Sequence, residues 1–148
     1  DRTTPTYLSE PVEGGTLNIG AGKNPTKGAY NIDYKNPDPN IGVFKGDATD
    51  LSNIKTGSQS RVVLDNPNGF DPLNTEITRV IQKGGTIELT GNYSNKDVVK
   101  YLDMSAEDMS KLGFEIVGRK TISSEGYLTT NGSQIKSDTL ETLILRKK

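Results

Sequence analysis

Gly20-Ala21-Gly22 and Asp33 have the residue types and spacing to hold a nucleoside. The apolar run 16–19 ends in Gly-x-Gly, which lets the backbone approach a ligand closely. Asn31-Ile32-Asp33 closes the next run with a carboxylate able to accept hydrogen bonds from both ribose hydroxyls. The link between them narrows the choice of ligand. Lys23-Asn24-Pro25-Thr26-Lys27-Gly28 is polar, broken by Pro and Gly, and too short for the usual crossover helix before the next strand begins near Ala29. A dinucleotide pyrophosphate rests on the N-terminus of that helix, so the pattern argues against NAD or FAD. A second group, Asp65-Asn66-Pro67-Asn68-Gly69-Phe70, ends the fourth apolar run, where an open sheet places its reaction chemistry. Plain structural readings stand beside both groups. Gly20 and Gly22 would equally serve a tight strand exit, and Asn-Pro-Asn-Gly an ordinary turn with Phe70 tucked against the core.

The elements that must position these residues are short. Strands are expected at 16–20, 29–33, 42–45, 61–65 and 86–90, each rich in β-branched or apolar residues and bounded by turn chemistry. Leu73, Ile77, Val80 and Ile81 follow the i, i+4, i+7, i+8 helix pattern, which Gly84-Gly85 should end. A second helical stretch begins at Ser94, with Asp97 as a weak capping box and Val98 and Leu102 on one face. Ser105 with Asp108 restarts it, Met109 and Leu112 continue the apolar face, and Gly113 closes it. Strands at 114–118 and 140–145 follow, separated by a polar, Gly-containing segment, 123–137, that reads as a hairpin-type connection or surface loop. Five early strands and a late pair predict an α/β sheet whose last strand runs antiparallel.

Composition excludes more than it selects. The chain of 148 residues suits one domain, and its net charge of -1 gives no general argument for a nucleic-acid or membrane partner. With no Cys and no His there is no disulfide framework, no Cys/His zinc site, no Ser-His-Asp triad and no histidine-based ribonuclease pair. Any enzyme here works with carboxylates, amides, hydroxyls, amines or a cofactor. No metal site is expected, since Asp65 and Asp71 flank a turn without a convincing ligand set. No apolar stretch is long enough to span a bilayer, so no membrane insertion is expected. Residues 1–15 are polar, carry two prolines and end in Gly14-Gly15, as a linker ahead of a C-terminal domain at 16–148 would. A trimmed start is the alternative.

Taken together, Leu17-Asn18-Ile19-Gly20-Ala21-Gly22, Asn31-Ile32-Asp33, Gly46-Asp47-Ala48-Thr49-Asp50-Leu51 and Arg79-Val80-Ile81-Gln82-Lys83-Gly84-Gly85-Thr86 resemble the ordered motifs of class I S-adenosylmethionine-dependent methyltransferases, in a compact form with a shortened first crossover. The resemblance runs from about Leu17 to Leu145 and implies a Rossmann-like sheet. S-adenosylmethionine, which has no phosphate to place, would be the cofactor. Gly20, Ala21 and Gly22 would pass beneath its methionine part, Lys23 would meet its carboxylate, Asp33 its ribose, and Asp47 with Ala48 its adenine. For Asp47 the alternative is a turn-capping residue. Asp65-Asn66-Pro67-Asn68-Gly69-Phe70 resembles the Asp/Asn-Pro-Pro-Tyr/Phe loop of enzymes that methylate exocyclic or side-chain amines. In that loop the polar side chain and a proline carbonyl accept hydrogen bonds from the target nitrogen while the aromatic ring stacks on a flat substrate. Asp65, Asn66, Pro67 and Phe70 are the candidate catalytic group, with Asn68-Gly69 standing where that loop has a second Pro.

The Leu-Asn-Ile-Gly-Ala-Gly-Lys-Asn-Pro start, the 65–74 segment and Asp138-Thr139-Leu140-Glu141-Thr142-Leu143 also resemble methyltransferase-like effector domains at the C-termini of bacterial polymorphic toxins. That implies secretion within a larger protein, delivery into a target-cell cytoplasm and a cognate immunity protein; without it, the domain would be cytoplasmic. The expected activity is methyl transfer to an amine or amide on RNA or a translation protein. The competing expectation keeps the fold without methyl transfer and has the domain bind or cleave tRNA, with Lys96, Lys100, Arg119, Lys120 and Lys136 on phosphates.

Overall fold

The computed structural model describes residues 7–123 and 139–148. Seven strands form one sheet in the order β3-β2-β1-β4-β5-β7-β6, from β1 (Gly15–Ile19), β2 (Tyr30–Asp33), β3 (Val43–Lys45), β4 (Gln59–Asp65), β5 (Ile81–Gly91), β6 (Phe114–Ser123) and β7 (Thr139–Lys147). The first five are parallel. β7 lies antiparallel between β5 and β6, as expected for the last strand. The strand order reverses between β1 and β4, which opens a crevice at their carboxyl ends.

Three short helices, α1 (Thr75–Val80), α2 (Val99–Leu102) and α3 (Ala106–Lys111), cover one face. Leu17, Ile19, Ile32, Val62, Leu64, Ile87 and Leu89 project to that face and pack with Ile77, Val80, Val98, Tyr101, Leu102 and Met109 in one core. Alternation sends Asn18, Asn31, Arg61, Val63, Asp65, Glu88, Thr90 and Thr142 to the opposite face, away from α1, α2 and α3. The first crossover has no helix, as its length predicts. Buried Asn18 and Asn31 hold it instead: Asn18 Nδ2 donates to Asn24 O, Thr26 Oγ1 and Asn31 Oδ1, and Asn31 returns bonds to Thr26 and Ala29.

The structure corrects several local expectations. α1 stops at Val80, before Gly84-Gly85, because Ile81 turns extended and pairs with Gln59 of β4. β5 therefore begins earlier than expected, and Lys147 Nζ donates to the freed carbonyls of Thr78 and Ile81 at 2.7 and 2.9 Å. The Ser94 capping box does not form, since Ser94 bonds back to Asn92 and Asp97 reaches the loop after β4. Ser105 does cap α3 through Asp108 N–H, whereas Leu112 is 48% exposed and leaves the apolar face. The segment expected as a hairpin connection lies, from 124 onward, outside the described residues; the strands on either side pair as antiparallel neighbours. Of the N-terminal segment, residues 7–14 are tied to the sheet: Leu8 N–H donates to Ala29 O, and Gly14 N–H to Ser58 O. Among the described residues no helix is long and apolar enough to cross a membrane.

Candidate functional site

A cavity of about 390 Å³ opens at the carboxyl ends of β1 to β4. Its walls are Ile19 and Gly20 after β1, Asp33 to Lys35 after β2, Gly46 to Thr49 after β3, and Asn68 to Phe70 after β4. Gly20 is there for its backbone: φ of +74° is strained for any other residue, and it allows the N–H groups of both Gly20 and Ala21 to bond Ile32 O.

Asp33 organises the floor. It is 4% exposed, and its Oδ2 accepts from Gly22 N–H at 2.9 Å while Oδ1 accepts from Lys35 and Asn36 N–H at 3.0 and 2.8 Å. One carboxylate thus joins the first crossover to the turn after β2. An ionised carboxylate has about four acceptor directions, so these three bonds leave room for a further donor from the cavity. Tyr34, directly after it, is 56% exposed with Lys45 Nζ 5.0 Å from its ring centre. Together they place an aromatic plane on the cavity wall.

The other expected nucleoside contacts divide. Ala21 and Gly22 build the turn behind Gly20 without lining the cavity, and Lys23 points to Asp38 at 3.6 Å. Asp47 and Ala48 do line it. Asp47 caps its own turn: Oδ1 accepts from both N–H and Oγ1 of Thr49, which holds its carboxyl below the usual range. Ala48 is buried, and its carbonyl accepts from Asn74 Nδ2, whose Oδ1 caps α1 at Ile77 N–H. That bridge fixes the β3 loop to α1.

The loop after β4 splits between two faces. Phe70, with Asn68 and Gly69, reaches the cavity. Asp65 turns to the open sheet face, in a polar depression of about 260 Å³ with Thr26, Arg61, Glu88, Thr90, Lys120 and Thr142. Arg61 is held there by a two-point pair with Glu88 at 2.5 and 3.0 Å. Asn66 and Pro67 lie between these faces, and both of their oxygens accept from Asn95 Nδ2. Three of the four candidate catalytic residues are therefore outside the cavity lining.

Burial first, and then Glu88, push the Asp65 carboxyl from 3.8 up to about 6, against the opposing pull of Arg61. A carboxyl with a raised folded-state value binds its proton more tightly folded than unfolded. Its ionisation therefore lowers stability as pH rises from about 4 to 6, and the full penalty persists above that window. Asp65→Asn should stabilise the protein by about 2 kcal/mol at pH 8 and by almost nothing at pH 3, read by urea unfolding at both values. Equal stability of the two proteins at pH 8 would contradict this environment.

Sequence reading missed Tyr34, Thr49 and Asn95. Only Tyr34 left a signal, as an aromatic residue directly after the strand-end acid. Among the described residues no group of three or more potential ligands could hold a metal ion.

No family model matches the sequence, and no curated protein matches it. Solved structures do. Over 93% of this chain and 83% of its own, a chain from the complex between the Haloferax volcanii Trm112 methyltransferase activator and a putative methyltransferase superposes with a TM-score of 0.57 at 17% identity. The 16S rRNA (adenine(1408)-N(1))-methyltransferase of Catenulisporales acidiphilia, solved with cosubstrate S-adenosylmethionine, aligns over 92% of this chain and 86% of its own, with a TM-score of 0.58 and 10% identity. A putative RNA methyltransferase of Pyrococcus horikoshii gives 0.53 and 16% over 92% and 76%. At these identities the likeness is one of architecture. This chain has the Rossmann-like fold of S-adenosylmethionine-dependent methyltransferases.

Proposed function

We propose that the chain binds S-adenosylmethionine in the cavity at the ends of β1 to β4 and methylates an exocyclic amine of RNA. The observation that carries this reading is the buried Asp33 carboxylate at the floor of that cavity, beside the reversal in strand order. The volume lies within the usual range for small-molecule sites. Asp33 has the remaining acceptor capacity for a ribose hydroxyl, Tyr34 offers an aromatic face to adenine, and Gly20 removes the side chain that would crowd the methionine part. Lys23 is an expected partner of the cofactor carboxylate that would first have to leave Asp38. Phe70 stands at the edge nearest the β4 loop, where a flat acceptor base would stack.

When bound, the cofactor supplies an electrophilic methyl group, so the protein needs no nucleophile of its own. That suits a chain without Cys or His. The protein's work is to bind, orient and exclude water. RNA is favoured as acceptor by RNA methyltransferases among the similar structures. The effector role, with delivery by a larger protein and a cognate immunity partner, rests on the motif resemblance alone. A second reading, tRNA binding or cleavage without methyl transfer, draws on Asp65, whose carboxyl titrates near 6 beside Lys120 and Arg61 on the open face.

Calorimetric titration with S-adenosylmethionine, followed by transfer of labelled methyl to total RNA, tests the proposal. Binding with label in RNA is the expected result. A folded protein that does not bind the cofactor ends this reading, and RNA binding or cleavage in its place, lost steeply with salt, supports the second.

A further inference from the structure

The loop after β4 already holds an amino group. Asn95, in the loop 92–98 after β5, donates from Nδ2 to Asn66 Oδ1 at 2.9 Å and to Pro67 O at 2.7 Å. A carboxamide nitrogen carries two protons, and both are used. The two oxygens therefore form a fork matched to –NH2 on a planar carbon. Asn66 is set in a costly backbone conformation to make it: φ is 49°, the one non-glycine in the left-handed region among the described residues, with its N–H fixed on Thr90 O at 2.6 Å.

The loop that carries Asn95 is anchored at its ends and polar in between. Gly91 and Val98 are buried against each other so closely that a Cβ on Gly91 would lie 3.0 Å from Val98 Cγ1. Between them Tyr93, Ser94 and Lys96 are exposed, and hydrogen bonds fasten the tip: Gly69 N–H to Asp97 Oδ2 at 2.9 Å, Tyr93 OH to Asp103, and the Asn95 pair. No apolar side chain from 92 to 97 is buried. Asn95 O also accepts from Val98 and Val99 N–H at 3.1 and 2.9 Å, and its Oδ1 from Asp97 N–H at 3.0 Å. The tip therefore leaves by exchanging the bonds to the β4 loop and to Asp103 for water, while this local turn moves with it and the two anchors stay in the core.

Resting on the methyl-transfer reading above, we propose that Asn95 is an internal stand-in for the acceptor amine, and that 92–98 is a latch displaced when the amino group of a nucleobase enters the fork. The fork faces the latch and is absent from the cavity lining, so the base gains access to it only as Asn95 withdraws. Such internal competition lowers the apparent affinity for the base by the fraction of time the latch is open.

The test titrates adenosine monophosphate into the wild-type protein, Asn95→Ala and Asp97→Ala, with and without S-adenosylhomocysteine, following binding and the Asn95 side-chain amide by NMR. Asn95→Ala should bind the nucleotide about fivefold or more tightly, with unchanged affinity for S-adenosylhomocysteine. Asp97→Ala, which cuts only the tether to Gly69, should change in the same direction and carries the test if Asn95→Ala does not fold. In the wild type the Asn95 amide signals should move as nucleotide saturates. Folded variants that bind no more tightly, or Asn95 signals that stay in place at saturation, overturn the latch. Failure to bind S-adenosylhomocysteine while nucleotide still displaces Asn95 defeats the cofactor reading and leaves the latch standing; cofactor binding with an unmoved Asn95 does the reverse.

Discussion

Asp33→Ala is expected to weaken S-adenosylmethionine binding by about ten- to a hundredfold and to lower stability by about 2 kcal/mol. The acceptor direction left free on this buried carboxylate is the strongest polar contact the cavity can offer a ribose hydroxyl, and a charged bond of this kind contributes about 1.5–3 kcal/mol. The stability loss has a separate cause. Gly22, Lys35 and Asn36 N–H groups would lose their acceptor together. Tyr34→Ala separates the two effects, since that ring is exposed and supports no core contact. It should reduce binding by about tenfold and leave stability unchanged. Calorimetry gives the affinities and urea unfolding the stabilities. Wild-type affinity in a folded Asp33→Ala protein would remove Asp33 from the site.

Asn31→Leu should destabilise the protein by about 3 kcal/mol although it replaces one buried residue by another of similar size. Asn31 is fully buried and makes four hydrogen bonds: Oδ1 accepts from Asn18 Nδ2 at 2.9 Å and Thr26 N–H at 2.7 Å, and Nδ2 donates to Thr26 O at 3.1 Å and Ala29 O at 3.2 Å. Leu would leave Thr26 N–H without its acceptor and take one partner each from Thr26 O, which keeps Ala29 N–H, and from Asn18 Nδ2, which keeps Asn24 O and Thr26 Oγ1. In most parallel sheets a crossover helix seals this region with apolar contacts. Here two amides do so, and fast hydrogen exchange at Thr26 should accompany the loss. A change below about 1 kcal/mol in urea unfolding would show that the crossover is held elsewhere.

The parts of this protein that depend on neighbouring residues were legible. Short runs rich in Val, Ile and Leu and bounded by turn residues marked the strands, and Gly20 was legible as the exit from the first of them, where the structure gives it a positive φ. Ser105 was legible as a cap because a side chain and an N–H three residues on form a self-contained unit. Where a local signal competed with a distant partner, the distant partner won. Gly84-Gly85 looked like the end of α1, yet Ile81 gained more by joining β4, and Asp97 looked like a capping acid while its carboxylate crosses to Gly69. Lys23 and Asp38 found each other through a turn that neither residue's own neighbourhood specifies.

By itself the sequence determined the α/β class, the short helix-free crossover, the strand-end acid at Asp33 and the exclusion of chemistry based on Cys or His. Each follows from residue type or from spacing within a few positions. Tertiary structure decided which of those residues share a space. Alternation along β4 states that Asp65 and Leu64 face opposite ways, but only the docking of α1, α2 and α3 on the Leu64 side makes that side the core and leaves Asp65 on the open face with Glu88 and Lys120. The same packing brings the loop after β5 onto the loop after β4 and closes the Asn66 and Pro67 oxygens around Asn95. Contacts between residues 28 or 29 positions apart, set by how strands order in a sheet, leave no periodic or local trace in the chain.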